Sequence, residues 1–141
     1  MRISINQSDS LGSILTIGIF THMSNKRSMN VRICITAQEP NLDGLVEMRF
    51  ARAPYFLLVD NETGEWEALE NELAQGSGGI GPRAVQLLAG KGIRTVITGQ
   101  LGGNAMAALE AAGIETYAYR EGGSARDAWT RFQEGKLSRL V

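Results

Sequence analysis

Two segments of the chain, LAGKGIRT at 88–95 and LEAAGIET at 109–116, repeat one another 21 positions apart. Each reads as the end of a helix, a glycine, and the entry to a strand. Glycine just past a helix takes the left-handed cap conformation without a Cβ clash. The Ile-x-Thr that follows is β-branched and suits a strand. Helix–strand units in series are the crossover pattern of a parallel sheet, because parallel neighbours cannot be joined by a tight turn. The expected strands run over 95–98 and 115–119. Pro82 suits the first turn of the first helix, and Asn104 is a suitable N-cap for the second. A third helix opens at Ser124-Ala125-Arg126-Asp127, close to a capping box, and stops near Gly135.

Three more strand-like runs precede these units. VRICIT (31–36) is rich in β-branched residues, and PYFLLVD (54–60) is apolar enough to be buried on both faces. After a turn at 61–64, EWEALENEL (65–73) alternates and is heavily charged, as an edge strand is. The order β-β-β-α-β-α-β-α implies an antiparallel ribbon extended by two right-handed crossovers. The economical α/β arrangement is a five-stranded mixed sheet in the order 3-2-1-4-5, with only strand 2 antiparallel. Strands 1 and 4 are then neighbours at the point where the chain changes direction. Ligands of open α/β sheets collect at such switch points, beyond the carboxyl ends of the strands.

The loops at that edge hold the candidate site. After strand 1 come Met48, Arg49 and Arg52, within a long loop over 37–53. After strand 3 comes QGSGGIG, with Gly76, Ser77, Gly78 and Gly79. After strand 4 comes GQLGGN, with Gly99, Gln100, Gly102, Gly103 and Asn104, and after strand 5 comes REGG at 120–123. Two of these loops feed helix N-termini, where bare N–H groups and the helix dipole favour anions. Residues 76–81 spell G-x-G-x-x-G, yet the strand ahead of them is too polar for a dinucleotide fold. No acidic residue stands about 20 positions on to hold a ribose. No Lys-Ser/Thr follows, so the loop is not a P-loop. Plainer roles are open to several residues: surface charge for Arg49 and Arg52, loop capping for Gln100, and packing for Cys34, Met106, Trp66 and Trp129.

With 141 residues, 43% hydrophobic and 21% charged, the composition is that of a soluble globular domain. The net charge of −1 lacks the basic signature of a nucleic-acid binder. One cysteine, Cys34, permits neither an internal disulfide nor a C-x-x-C pair, which fits a reducing, cytoplasmic setting. LGSILTIGIF at 11–20 is too short to span a membrane, and no small-x-small cleavage site follows it. Residues 1–28 are expected to be a disordered or loosely attached extension, with the domain over 29–141.

RFARAPYFLLVD, the glycine loop, VITGQLGGNAMAALEAAGI and the closing DAWTRFQEGKL together resemble the dinitrogenase iron–molybdenum cofactor-biosynthesis family. ITAQEPNLDGLVEMRFARA is most similar to its orange-protein branch. The resemblance implies a ribonuclease-H-like three-layer fold with the strand order above. It also implies a non-enzymatic carrier of an anionic metal–sulfur cluster. In the orange-protein branch that cluster is a molybdenum–copper sulfide held without covalent protein ligands; elsewhere in the family it is a related molybdenum or iron–sulfur cluster. Many members have His-Phe-Gly-Arg where this chain has Arg49-Phe50-Ala51-Arg52, and a histidine where Ser77 stands. The one histidine, His22, lies in the extension, so the expected holding groups are arginines, backbone amides and apolar contacts such as Met48, with no metal ligand from the protein. The alternative is an interaction or regulatory module that binds a partner ATPase without a cofactor; the expected protein partners are such an ATPase or cofactor-assembly proteins. A metal-dependent nuclease is disfavoured. The first strand has no carboxylate, and Glu39, Asp43 and Glu47 have no partners at the ends of strands 4 and 5. Neither nucleic acid nor membrane is an expected partner.

Overall fold

The computed structural model describes residues 32–141; the expected extension over 1–28 lies outside them. The strands are β1 (Arg32–Ala37), β2 (Tyr55–Asp60), β3 (Trp66–Glu70), β4 (Thr95–Thr98), β5 (Glu115–Ala118) and β6 (Ser138–Arg139). The helices are α1 (Ile80–Gly90), α2 (Gly103–Ala112) and α3 (Ala125–Gln133). The sheet is open and mixed, in the order β3-β2-β1-β4-β5-β6. β1 pairs antiparallel with β2 and parallel with β4, so the switch point falls between β1 and β4 as expected. β2–β3 is antiparallel and β4–β5 parallel.

Two expectations need correction. The sheet has six strands rather than five, and strand 2 is not the only reversed one. β6 runs antiparallel to β5 through Tyr117↔Arg139 and Ala118↔Ser138. Two residues are too short for a periodic pattern, and what holds this tail is the Thr116 carbonyl, which accepts from the Leu140 and Val141 amides. The helix starts also shift. α1 begins at Ile80, ahead of Pro82, because Gly79 at φ 68° turns the chain into the helix. α2 is capped by Gly102 and not by Asn104, which lies inside the first turn. α3 starts as the capping pattern predicts: Ser124 Oγ accepts from the Asp127 amide at 3.1 Å.

Alternation along β1 and β2 divides the core between the two sheet faces. Cys34, Phe56, Leu58 and Val96 pack beneath α1 and α2, against Ala84, Val85, Leu88, Ala105 and Leu109. Ile33, Ile35, Leu57, Val59 and Ile97 pack with Ala125 and Ala128 of α3. Gly81 brings the two helices of the first face together; a Cβ there would stand 3.1 Å from Ala105 Cβ. None of the described helices is long and apolar enough to cross a membrane.

Candidate functional site

The loop after β1 is tied to the ends of β1 and β4 before it reaches the sheet edge. The Thr36 hydroxyl donates to the Glu47 carbonyl at 2.7 Å and lies 2.9 Å from Thr98 Oγ1, and both threonines are fully buried. The Gln100 amide donates to the Met48 carbonyl at 2.7 Å, and the Phe50 amide donates back to the Gln100 carbonyl. These bonds lay residues 47–50 alongside the loop after β4 and open a groove between them and the starts of α1 and α2.

The groove encloses about 470 Å³. Of the residues singled out in the sequence, Arg49, Arg52, Gly78, Gly79, Gln100, Gly102, Gly103 and Asn104 line it, while Met48, Gly76, Ser77 and Gly99 do not. The reason for three of the four is local packing. A Cβ on Gly99 would come within 2.6–2.7 Å of Met48 Sδ, Cε and Cα, so Gly99 and Met48 serve each other. A Cβ on Gly76 would press on Ile80 Cγ2 at 3.0 Å. Sequence reasoning passed over the apolar part of the wall, formed by Phe50, Ala51, Ile80, Pro82, Leu101 and Ala105. Their apolar character reads as ordinary core, and no periodicity marks the end of a helix that faces a groove.

The two arginines are less free than their positions in the sequence imply. Glu47 Oε2 accepts from Arg49 Nε at 2.9 Å and from the Arg49 amide at 3.1 Å. The Glu47 side chain is only 9% exposed and that of Arg49 is 61% exposed. Burial works to raise the Glu47 pKa, but the bonds from Arg49 and Met48 outweigh it and hold the carboxyl below the usual range. The hydrogen bond to Glu47, aided by its charge, raises the Arg49 pKa in turn. Arg52 Nη1 donates to the Ala74 and Gly76 carbonyls, both at 2.8 Å, and so clamps the glycine loop to the loop after β1. Asn71, buried and not singled out in the sequence, adds to that clamp. Its Nδ2 donates to the Ala51 and Ala53 carbonyls at 3.0 and 2.8 Å, and its Oδ1 accepts from the Leu73 amide.

Two helix N-termini meet at the groove. Neither α1 nor α2 has a side-chain cap or an acidic residue in its first turn, whereas α3 has both. The first-turn amides of a helix have no carbonyl of their own to bond, so the two helix starts that line the groove bring N–H donors, Pro82 excepted, and positive dipole ends to it. Gly102 and Gly103 leave the start of α2 bare: a Cβ on either meets nothing within 4 Å, and neither is in the left-handed region.

No group of three or more His, Cys, Asp or Glu residues gathers among the described residues. Cys34 is fully buried, and burial pushes its thiol far up, so it is a neutral core residue as expected. Met106, expected to pack, is 38% exposed on α2. Trp66 and Trp129 do pack against the α3-side core. Gln100 uses its backbone to join the loops, and its side chain is exposed.

Several known proteins are similar to this chain, in structure or in sequence. The apo orange protein of Desulfovibrio gigas superposes with a TM-score of 0.75 at 40% identity, over 79% of this chain and 93% of that one. A Thermotoga protein assigned as NifB and placed in the DUF35 family superposes with a TM-score of 0.70, also at 40% identity, over 78% and 93%. An uncharacterized protein of Methanocaldococcus jannaschii is 30% identical over 94 residues, 64% of this chain and 79% of that one. The description of the dinitrogenase iron–molybdenum cofactor family matches residues 29–135, which include every strand and helix except β6. The chain belongs to the dinitrogenase iron–molybdenum cofactor family.

Proposed function

We propose that the protein is a non-enzymatic carrier of an anionic, molybdenum-containing metal–sulfur cluster, of the molybdenum–copper sulfide kind, held non-covalently in the groove. The observation that carries this reading is the meeting of two helix N-termini without side-chain caps or first-turn carboxylates, at a groove lined by Arg49 and Arg52. A thiometallate presents sulfide faces that accept hydrogen bonds. The groove offers amide and guanidinium donors together with apolar contacts from Phe50 and Leu101. The donor set fits such an ion, whereas a bare copper ion would need thiolates or imidazoles. The likeness to the apo orange protein supports the same choice.

The same reading takes the sheet order as ribonuclease-H-like, with cofactor-assembly proteins as the partners that load or unload the groove. A cytoplasmic location is part of it, in keeping with a single buried cysteine.

Protein purified from its native host should hold molybdenum and copper and show a visible absorption band. Apo protein mixed with tetrathiomolybdate and copper should acquire that band. Arg49→Ala should weaken uptake, because it removes a charged hydrogen-bond donor from the groove wall. A colourless native protein that takes up neither metal would favour the cofactor-free partner module.

A further inference from the structure

Glu47 is an unexpected side chain to find at an anion groove, since its carboxylate repels what the groove is built to hold. Its position answers the difficulty. The Glu47 amide donates to the Thr36 carbonyl at 2.9 Å, the Glu47 carbonyl accepts from the buried Thr36 hydroxyl, and the side chain is almost wholly covered. The carboxylate therefore sits on a rigid base at the end of β1. It takes Arg49 by Nε and by the backbone amide, both at one oxygen. That grip leaves the Nη1/Nη2 edge of the guanidinium without a protein partner among the described residues, on a side chain that lines the groove. An exposed arginine otherwise spreads over many rotamers and loses that freedom on binding.

Resting on the carrier reading above, we propose that Glu47 is a positioning residue: it fixes Arg49 through Nε so that the outer guanidinium edge is presented to a sulfide-faced anion in the groove.

The test is a double-mutant cycle on the full chain, read by the visible absorbance of tetrathiomolybdate taken up together with copper, with thermal unfolding as the control for folding. Glu47→Gln removes the charge and loosens the grip. Glu47→Asp keeps the charge but is too short to reach Nε. Both should weaken binding about three- to tenfold, which lies within the range for coupled neighbours. In an Arg49→Gln background, Glu47→Gln should instead leave binding unchanged or strengthen it, because only the repulsive charge is then lost. If Glu47→Gln strengthens binding in both backgrounds while Glu47→Asp has no effect, Glu47 is a mere counter-charge and the proposal falls. If the parent binds and Glu47→Gln binds equally well, positioning alone is refuted. If the parent binds no tetrathiomolybdate, the carrier reading fails and takes this proposal with it.

Discussion

Gly103 separates the demands of the fold from those of the groove. It is the first residue of α2 and lines the groove. A Cβ there meets nothing within 4 Å, and its backbone is outside the left-handed region. Nothing in the fold asks for glycine. Alanine has fewer unfolded conformations to lose and a better helix propensity, so Gly103→Ala should raise stability by about 0.4–1 kcal/mol. In the groove the same methyl stands beside the free amides of the first turn. Displacing one hydrogen bond to a charged acceptor removes about 1.5–3 kcal/mol, which is about ten- to a hundredfold in affinity. The two effects have opposite signs. Urea unfolding measures the first and tetrathiomolybdate titration the second. Gly99→Ala is the contrasting control: its methyl would drive into Met48 at 2.6–2.7 Å, and such overpacking costs about 1–3 kcal/mol. A Gly103→Ala protein that is more stable yet binds as tightly as the parent would show that the ligand does not approach α2, and the reasoning for the groove would be refuted.

Asn71→Ala should destabilise by about 2–4 kcal/mol in urea unfolding, because it strips partners from two carbonyls and an amide in the clamp. Cys34→Ser should cost about 1–3 kcal/mol by burying a hydroxyl among apolar neighbours, with tetrathiomolybdate affinity unchanged; in the native parent Cys34 should resist thiol reagents until the protein unfolds. The Glu47 carboxyl has a folded pKa below its unfolded value. Its stabilising contribution is therefore complete above the ordinary glutamate range, near pH ~4.3, and is lost as pH falls through the lowered folded value. Urea unfolding against pH should show that acid-side decline flatten in Glu47→Gln.

Much of the fold can be read directly from local sequence. The repeated helix–glycine–strand units dictate parallel crossovers, and the apolar run of β2 dictates a buried strand, because each signal sits in neighbouring residues. The glycine-rich loops at the carboxyl edge are legible for the same reason. What the sequence does not announce is each loop's partner across the fold. Glu47 and Arg49 are two positions apart, yet only the pinning of Glu47 by Thr36 makes that carboxylate a rigid support. Arg52 reads equally as a groove cation and as a surface charge, and its clamp on the glycine loop appears only when the chain brings Ala74 and Gly76 to it. Gly76, Gly99 and Gly103 look alike in sequence, but one is wanted beside Ile80, one beside Met48 and one by nothing in the fold. β6 depends wholly on an open edge left by β5. Periodicity and caps are properties of adjacent residues and survive in the linear chain. Close approach, clamping and a shared groove are contacts between distant residues, and these exist only once the sheet has set the distances.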